Sequence, residues 1–321
     1  MSESLGSAVP LSTTEPRPAA AQRVLPLRHP GRWIASAIVL VVVAQIVHGL
    51  ATNPFFQWDR FQYWFLRPTI LDGLLITLEV TLYSAVLGLL GGILLALARL
   101  SESPVLRAVS WVYIWLFRSV PLIVVLLFLY NFSALYKTLS LGVPFGPAFL
   151  TFDESRLATD MVVAVVGLSL NEAAYAAEVV RGGILSVDQG QHEAASALGL
   201  PKGYQFTRIV FPQALRSLTP NYVNQLIGLI KGTSLVFYVS LLDLFGSVQS
   251  MGSTYPGDIV PLLLVATAWY LILTSVVSVV QFYVERYYSR GALRSLPPTP
   301  LQKVRTGLRD LRARARKEAA I

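Results

Sequence analysis

Two stretches of the chain, Val80 to Ala98 and Ile259 to Val284, contain no Asp, Glu, Lys or Arg. Runs of this kind match the roughly 20 residues an α-helix needs to cross the hydrocarbon of a bilayer. Four more segments are nearly as apolar: Ile34 to Leu50, Trp111 to Tyr136, Met161 to Val180 and Leu218 to Leu242. In lipid, only helices and closed barrels satisfy their own backbone groups, and long continuous runs lack the alternation of barrel strands. The expected fold class is therefore an all-α membrane protein with about six transmembrane helices. Composition agrees, since 54% of residues are hydrophobic and only 14% charged, against about a quarter charged in soluble domains.

Basic residues set the orientation, because short flanking segments rich in Lys and Arg stay on the cytoplasmic side. Arg17, Arg23, Arg28 and Arg32 precede the first run, while Arg286, Arg290, Arg294 and Lys303 follow the last. Both termini are expected in the cytoplasm, which an even number of spans satisfies. The segment from Asp243 to Asp258, free of Lys and Arg, is then an exterior loop. The net charge of +8 follows from this topology and points to no nucleic acid.

The organisation reads as a disordered, Pro-, Ser- and Ala-rich leader (1–32), an N-terminal span (33–50), a membrane domain (70–290) and a basic tail (291–321). Gly49-Leu50-Ala51 also fits a signal-peptide cleavage site, and the orientation of the other spans is the same in either case. In the tail, Leu301, Val304, Leu308, Leu311 and Ala315 recur at helical spacing among basic residues. Two readings stand there: a helix lying on anionic headgroups, or a solvated charged tail.

Absence of cysteine excludes disulfides and thiol chemistry, and His29, His48 and His192 lie in different segments, so no metal site is suggested. No HExxH, GxSxG or GxxxxGK[ST] pattern is present. A chain without catalytic or nucleotide-binding motifs that transports uphill takes its energy from an ion gradient or from a separate ATPase.

The segment 181–216 bears on that choice. Asp188 is placed to cap a short helix in which Ala194, Ala197 and Leu198 share a side, Gly199 ends it, and Pro201 opens the next. Small residues around Glu193 suit close approach by a partner. The spacing is Glu193-Ala194-Ala195, three residues, Gly199, nine residues, Ile209, one residue, Phe211 and Pro212.

This pattern resembles the EAA signature of the membrane subunits of binding-protein-dependent ABC importers, which carries Leu where this chain has Phe211. The resemblance extends over roughly Leu71 to Arg290. It implies a five-helix importer core preceded by one extra helix, in a dimer of identical or related permease subunits in a prokaryotic cell membrane. It also implies coupling to ABC ATPase subunits that bind the ATP, so that this chain needs no cofactor, and an extracytoplasmic solute-binding protein. Gly190, Gln191, Glu193, Ala194, Ala195, Gly199 and Pro212 would then form the loop that docks on the ATPase. Ala174 to Gly183, Phe117 to Leu122, and Lys231 to Leu235 are similar to permeases for polar amino acids and opines. Ser119-Val120 replaces the usual Gly-Thr, and Glu172 stands where a small or apolar residue is expected.

Ionisable residues inside spans are expensive and usually face a bundle interior or a wet cavity. Glu79, Arg118, Glu172 and Lys231 are therefore candidates for a translocation path, joined by Asn221, Asn224 and Ser234. Lys231 pairing with Glu79 or Glu172 as structural glue is the alternative, as is an Arg118 that only snorkels. Gly88, Gly91 and Gly92 read as close helix packing. Rival functions are an ion-driven secondary transporter or channel, for which no inverted repeat is visible, and a receptor or scaffold.

Overall fold

A computed structural model describes residues 30–132, 138–142, 148–153, 159–288 and 309. The leader up to residue 29 and the tail, including the helix expected over Leu301 to Ala315, lie outside the described residues, Arg309 aside. The chain forms two compact units, one ending at Pro54 and one beginning at Phe55. The first holds α1 (Pro30–Thr52), with its residues from Trp33 onward exposed.

In the second unit the order is α2 (Trp58–Phe65), α3 (Pro68–Leu100), α4 (Pro104–Ser119), α5 (Leu122–Tyr130), a hairpin of β1 (Thr138–Gly142) and β2 (Ala148–Asp153), and α6 (Asp160–Leu185). Then come α7 (Gln189–Ala197), α8 (Lys202–Gln205), a π-helical turn (Phe206–Val210), α9 (Phe211–Gly232), a 3-10 turn (Thr233–Val239), α10 (Leu244–Thr254) and α11 (Ile259–Tyr288). The hairpin is antiparallel, with Thr138 opposite Asp153. Among the described residues four helices are long and apolar enough to cross a membrane singly, and the count reaches six if each of two bent pairs makes one span.

Both bends depart from the sequence expectation. The run Trp111 to Tyr136, expected as one helix, breaks between α4 and α5 through 100°. Proline pushes the residue before it out of the helical region. Val120 accordingly has φ −85° and ψ 130°, and Pro121 itself is extended at ψ 136°. The expected exterior loop from Asp243 to Asp258 is largely helix α10, in which Leu244 and Val248 are completely buried. Ser240, at φ 67°, turns the chain after the 3-10 segment, and Asp243 caps α10 by accepting from the Gly246 amide at 2.9 Å.

The main axis of packing is the α3–α6 seam. A Cβ built on Gly92 would stand 2.5 Å from the Ala176 Cβ and 2.9 Å from the Ala177 nitrogen, and one on Gly91 would stand 3.1 Å from the Ala173 Cβ. Ala176 and Ala177 are fully buried against this face. Lipid tails are as apolar as leucine, so apolar burial contributes little to association inside a bilayer, and van der Waals contact at short range must carry it. Glycine and alanine permit that range. Serine and tyrosine hydroxyls add cross-helix bonds: Tyr222 donates to Ala85 O at 2.7 Å, Tyr113 to Leu170 O at 2.9 Å and Ser110 to Leu95 O at 2.8 Å.

Two apolar clusters flank the seam. One joins Val80, Leu126, Leu168, Leu229 and Val236; the other joins Trp64, Ile70, Leu244, Leu262 and Val265. The second includes α2, whose Trp64 indole donates to Asp258 at 2.9 Å while the Arg60 guanidinium pairs with the same carboxylate. Phe65 stacks on Trp269 at 4.9 Å.

Replacing Gly92 by Val should lower the thermal midpoint of the purified protein, since overpacking costs about 1–3 kcal/mol. Gly203→Ala, at a position with open space around it, should move that midpoint little. Equal midpoints for Gly92→Val and wild type would show that the seam does not hold the fold.

Candidate translocation path and docking loop

Helix α7 is built as the sequence indicated. The Asp188 carboxylate accepts from the Gly190 amide at 2.7 Å, satisfying an otherwise orphaned donor. At the other end Gly199 takes φ 68°, its amide bonds to Ser196 O at 3.0 Å, and the Leu200 amide bonds to Ala195 O at 3.2 Å. This is the paired closure a left-handed glycine allows. The Gln205 side chain then donates to Leu200 O at 2.7 Å, tying α8 to the end of α7.

The side shared by Ala194, Ala197 and Leu198 faces outward. Ala195 is the buried residue of α7, whereas Ala194, Ala197 and Leu198 are exposed, Leu198 at 77%. Gln191, His192 and Glu193 are exposed with them. The helix thus offers its acidic residue and most of its small side chains outward.

At the base of the loop, Val187, Val210 and Ala214 form a small buried cluster with Ile184 beside it. A Cβ on Gly183 would lie 2.7 Å from the Leu218 Cβ, so α6 and α9 touch there without a spacer. Pro212 is the second residue after the π-helical turn. Proline cannot donate and crowds the carbonyl four residues earlier, and a widened turn accommodates that misfit. Glu193, Ala194 and Ala195 therefore sit on a short helix closed by Gly199, and the residues flanking it pack on α6 and α9.

The expected path residues separate into distinct places. Asn221, Asn224, Gly228 and Lys231 are all exposed on α9, at spacings of three, four and three, so they form one face. Sequence reasoning had three of these residues but not the continuous stripe, which the period shows once Gly228 is included. The stripe leads to a cleft of about 610 Å³ lined by Lys231, Ser234, Phe245, Thr267, Tyr270 and Thr274. An exposed polar face on a span is costly against lipid.

Glu172 stands behind that stripe, 2% exposed. Its side chain fills the space left by Gly88, whose Cβ would lie 2.5 Å from the Glu172 Cγ. Gln225 on α9 is its hydrogen-bonding neighbour, and among the described residues Glu172 Oε1 has no hydrogen-bond partner. The alternative of Lys231 paired with Glu79 or Glu172 is not what the structure shows: among the described residues the ion pairs are Arg60–Asp258, Arg181–Glu178 and Lys202–Glu102. Glu79 is exposed on α3. Arg118 lies over the Tyr175 ring at 5.3 Å, in a second cleft that shares no lining residue with the first.

A buried acid that the sequence placed in a loop, Asp243, is fully enclosed. Besides the Gly246 amide, it accepts from the Tyr270 hydroxyl at 3.3 Å, and Thr77 on α3 accepts from the Leu244 amide at 3.0 Å. This network joins α3, α10 and α11 at the wall of the Lys231 cleft. Among the described residues no group of His, Cys, Asp and Glu is arranged to hold a metal ion.

Comparison with known proteins gives the family. The binding-protein-dependent transport system inner membrane component model matches residues 88–290. The chain is 40% identical over 288 residues to the arginine transport system permease protein ArgU of Corynebacterium glutamicum, covering 89% of this chain and 88% of that one. It is 36% identical over 219 residues to the glutamate/aspartate import permease protein GltK of Escherichia coli O6:H1, covering 68% and 93%. Among solved structures it is similar to a crystal structure of an amino acid ABC transporter with histidines, at 29% identity and a TM-score of 0.59, covering 68% of this chain and 94% of that one. The chain belongs to the family of inner membrane components of binding-protein-dependent transport systems.

Proposed function

We propose that this chain is the permease subunit of an ATP-driven importer for polar amino acids, forming the path and hydrolysing nothing itself. The observation that carries the reading is α7: a capped, closed and mostly exposed short helix, with Val187 just before it packed against Ile184 of α6 and Ala214 of α9. A separate ATPase docks there, with Gly190, Gln191, Glu193, Ala194, Ala195, Gly199 and Pro212 building the contact. The amino acid class is supported by relatives named for arginine and for glutamate and aspartate. Two such permease subunits, identical or related, face each other, a solute-binding protein delivers the solute from outside, and both termini lie in the cytoplasm, in keeping with the flanking arginines.

The α9 stripe of Asn221, Asn224 and Lys231, continued by Ser234, lines the path. Closure of the ATPase pushes α7, which tilts α6 and α9 together and shifts the balance between outward and inward openings.

The test is uptake and ATP hydrolysis by the full complex in liposomes, with binding proteins each loaded with one amino acid. Stimulation by one loaded protein is expected; uptake that follows an imposed ion gradient with no ATPase bound would overturn the reading. Glu193→Arg should leave the chain inserted and folded while abolishing solute-stimulated hydrolysis, and full stimulation would remove α7 from the coupling. Asn224→Leu should lower the import rate at least roughly fivefold, the effect of losing a hydrogen bond of about 1 kcal/mol. An unchanged rate would place the path elsewhere.

A further inference from the structure

The cleft around Arg118 is unlike the one around Lys231. It measures about 420 Å³ and lies among α3, α4 and α6, where Arg99, Arg118, Trp111, Trp115, Ser119 and Glu178 line it. Its one acid is already engaged: Glu178 Oε2 accepts from both Arg181 Nε at 3.0 Å and Arg181 Nη2 at 2.7 Å. Neither Arg99 nor Arg118 forms an ion pair among the described residues. The site therefore presents two guanidinium groups with no anion among the described residues to answer them.

Its rim is aromatic and apolar. The Trp111 and Trp115 rings are parallel, one turn apart on α4, and are 50% and 56% exposed. Around them Val109 and Val112 on α4, with Leu94 and Leu97 on α3, are exposed as well. Arg99 sits in the last turn of α3, where the span ends. Tryptophan prefers the level of the headgroups, and basic pockets between spans bind anionic headgroups. Guanidinium forks match phosphate oxygens in pairs.

We infer that this cleft holds the phosphate of an anionic phospholipid, with Arg99 and Arg118 on the phosphate, Trp111 and Trp115 beside the glycerol, and the acyl chains along the exposed faces of α3 and α4. A free phosphate ion would account for the arginines but leaves the exposed indoles and the apolar track without a role. The inference rests on the membrane-spanning fold and stands apart from the transport reading.

The test is native mass spectrometry of the full-length chain, purified in micelles containing phosphatidylglycerol or phosphatidylcholine with the same tails. Wild type should retain phosphatidylglycerol in preference to phosphatidylcholine. The Arg99→Gln/Arg118→Gln variant should retain at least roughly tenfold less, each basic residue contributing its own attraction to an anionic headgroup. Arg99→Lys/Arg118→Lys should keep part of the preference, which a merely structural defect would not restore. Equal retention by wild type and the glutamine variant, or no preference between the two lipids, would overturn the inference. So would displacement of the bound lipid by inorganic phosphate, which would make the site one for any small anion. If the glutamine variant fails to fold, Trp111→Leu/Trp115→Leu replaces it: reduced retention supports the lipid site, and unchanged retention rejects it.

Discussion

Close approach of α3 and α6 is the constraint on which the rest of the described core depends. Between helices in lipid there is no water to expel, so the usual driving force of a protein core is missing. What remains is contact at short range and hydrogen bonds that lipid cannot replace. The Gly88, Gly91 and Gly92 face supplies the first, with Ala173, Ala176 and the Glu172 side chain set directly against it. Tyr222 and Ser84, reaching from or to α3, supply the second. Once this pair is fixed, α4 and α5 fold back on it, and α9 lies across both helices through Tyr222 on one side and Leu218 on the other.

The same accounting governs the breaks. A helix interrupted in a membrane exposes amides and carbonyls that must find partners within the protein. At the break before α10, the Asp243 carboxylate takes the Gly246 amide and Thr77 takes the Leu244 amide, so two freed donors are met by side chains. At the α4–α5 break, the Val120 amide bonds back to Leu116 O, and the Asn171 side chain, from α6, donates to Phe117 O at 2.9 Å. Each break is held by residues from a neighbouring helix, which makes the bends fixed features of the fold.

Much of this was legible in the sequence, for physical reasons that differ by element. Long charge-free runs identify spans because the bilayer filters on length and polarity alone. Asp188 and Gly199 mark the ends of α7 because a cap and a left-handed glycine act within four residues of chain. The break at Pro121 was missed because apolar composition continues across it, and hydropathy does not register direction. Helix α10 escaped because Ser247, Ser250 and Ser253 keep it below the apolarity of a span, although Leu244 and Val248 face the core. Which side of α7 faces inward, and the fact that Lys231 and Glu172 do not pair, depend on tertiary contacts that no local spacing encodes.

The separation of Glu172 from Lys231 also constrains how the membrane part works. Glu172 fills the notch at Gly88 and reaches toward Gln225, so it sits at the crossing of α3, α6 and α9. Lys231 lies two turns further along α9 on its exposed face. A tilt of α9 against α6 changes the distance from Glu172 to Gln225 before it changes anything within the stripe, because the stripe belongs to one rigid helix. Among the described residues Glu172 Oε1 has no hydrogen-bond partner, while Gln225 neighbours the carboxyl group and the Tyr222 hydroxyl is committed to Ala85 O. Gly183, pressed against Ala214 and Leu218, holds α6 and α9 together at their other crossing. The α6–α9 pair is thus fixed at two places, the Gly183 contact at one end and the crossing that holds Glu172 at the other.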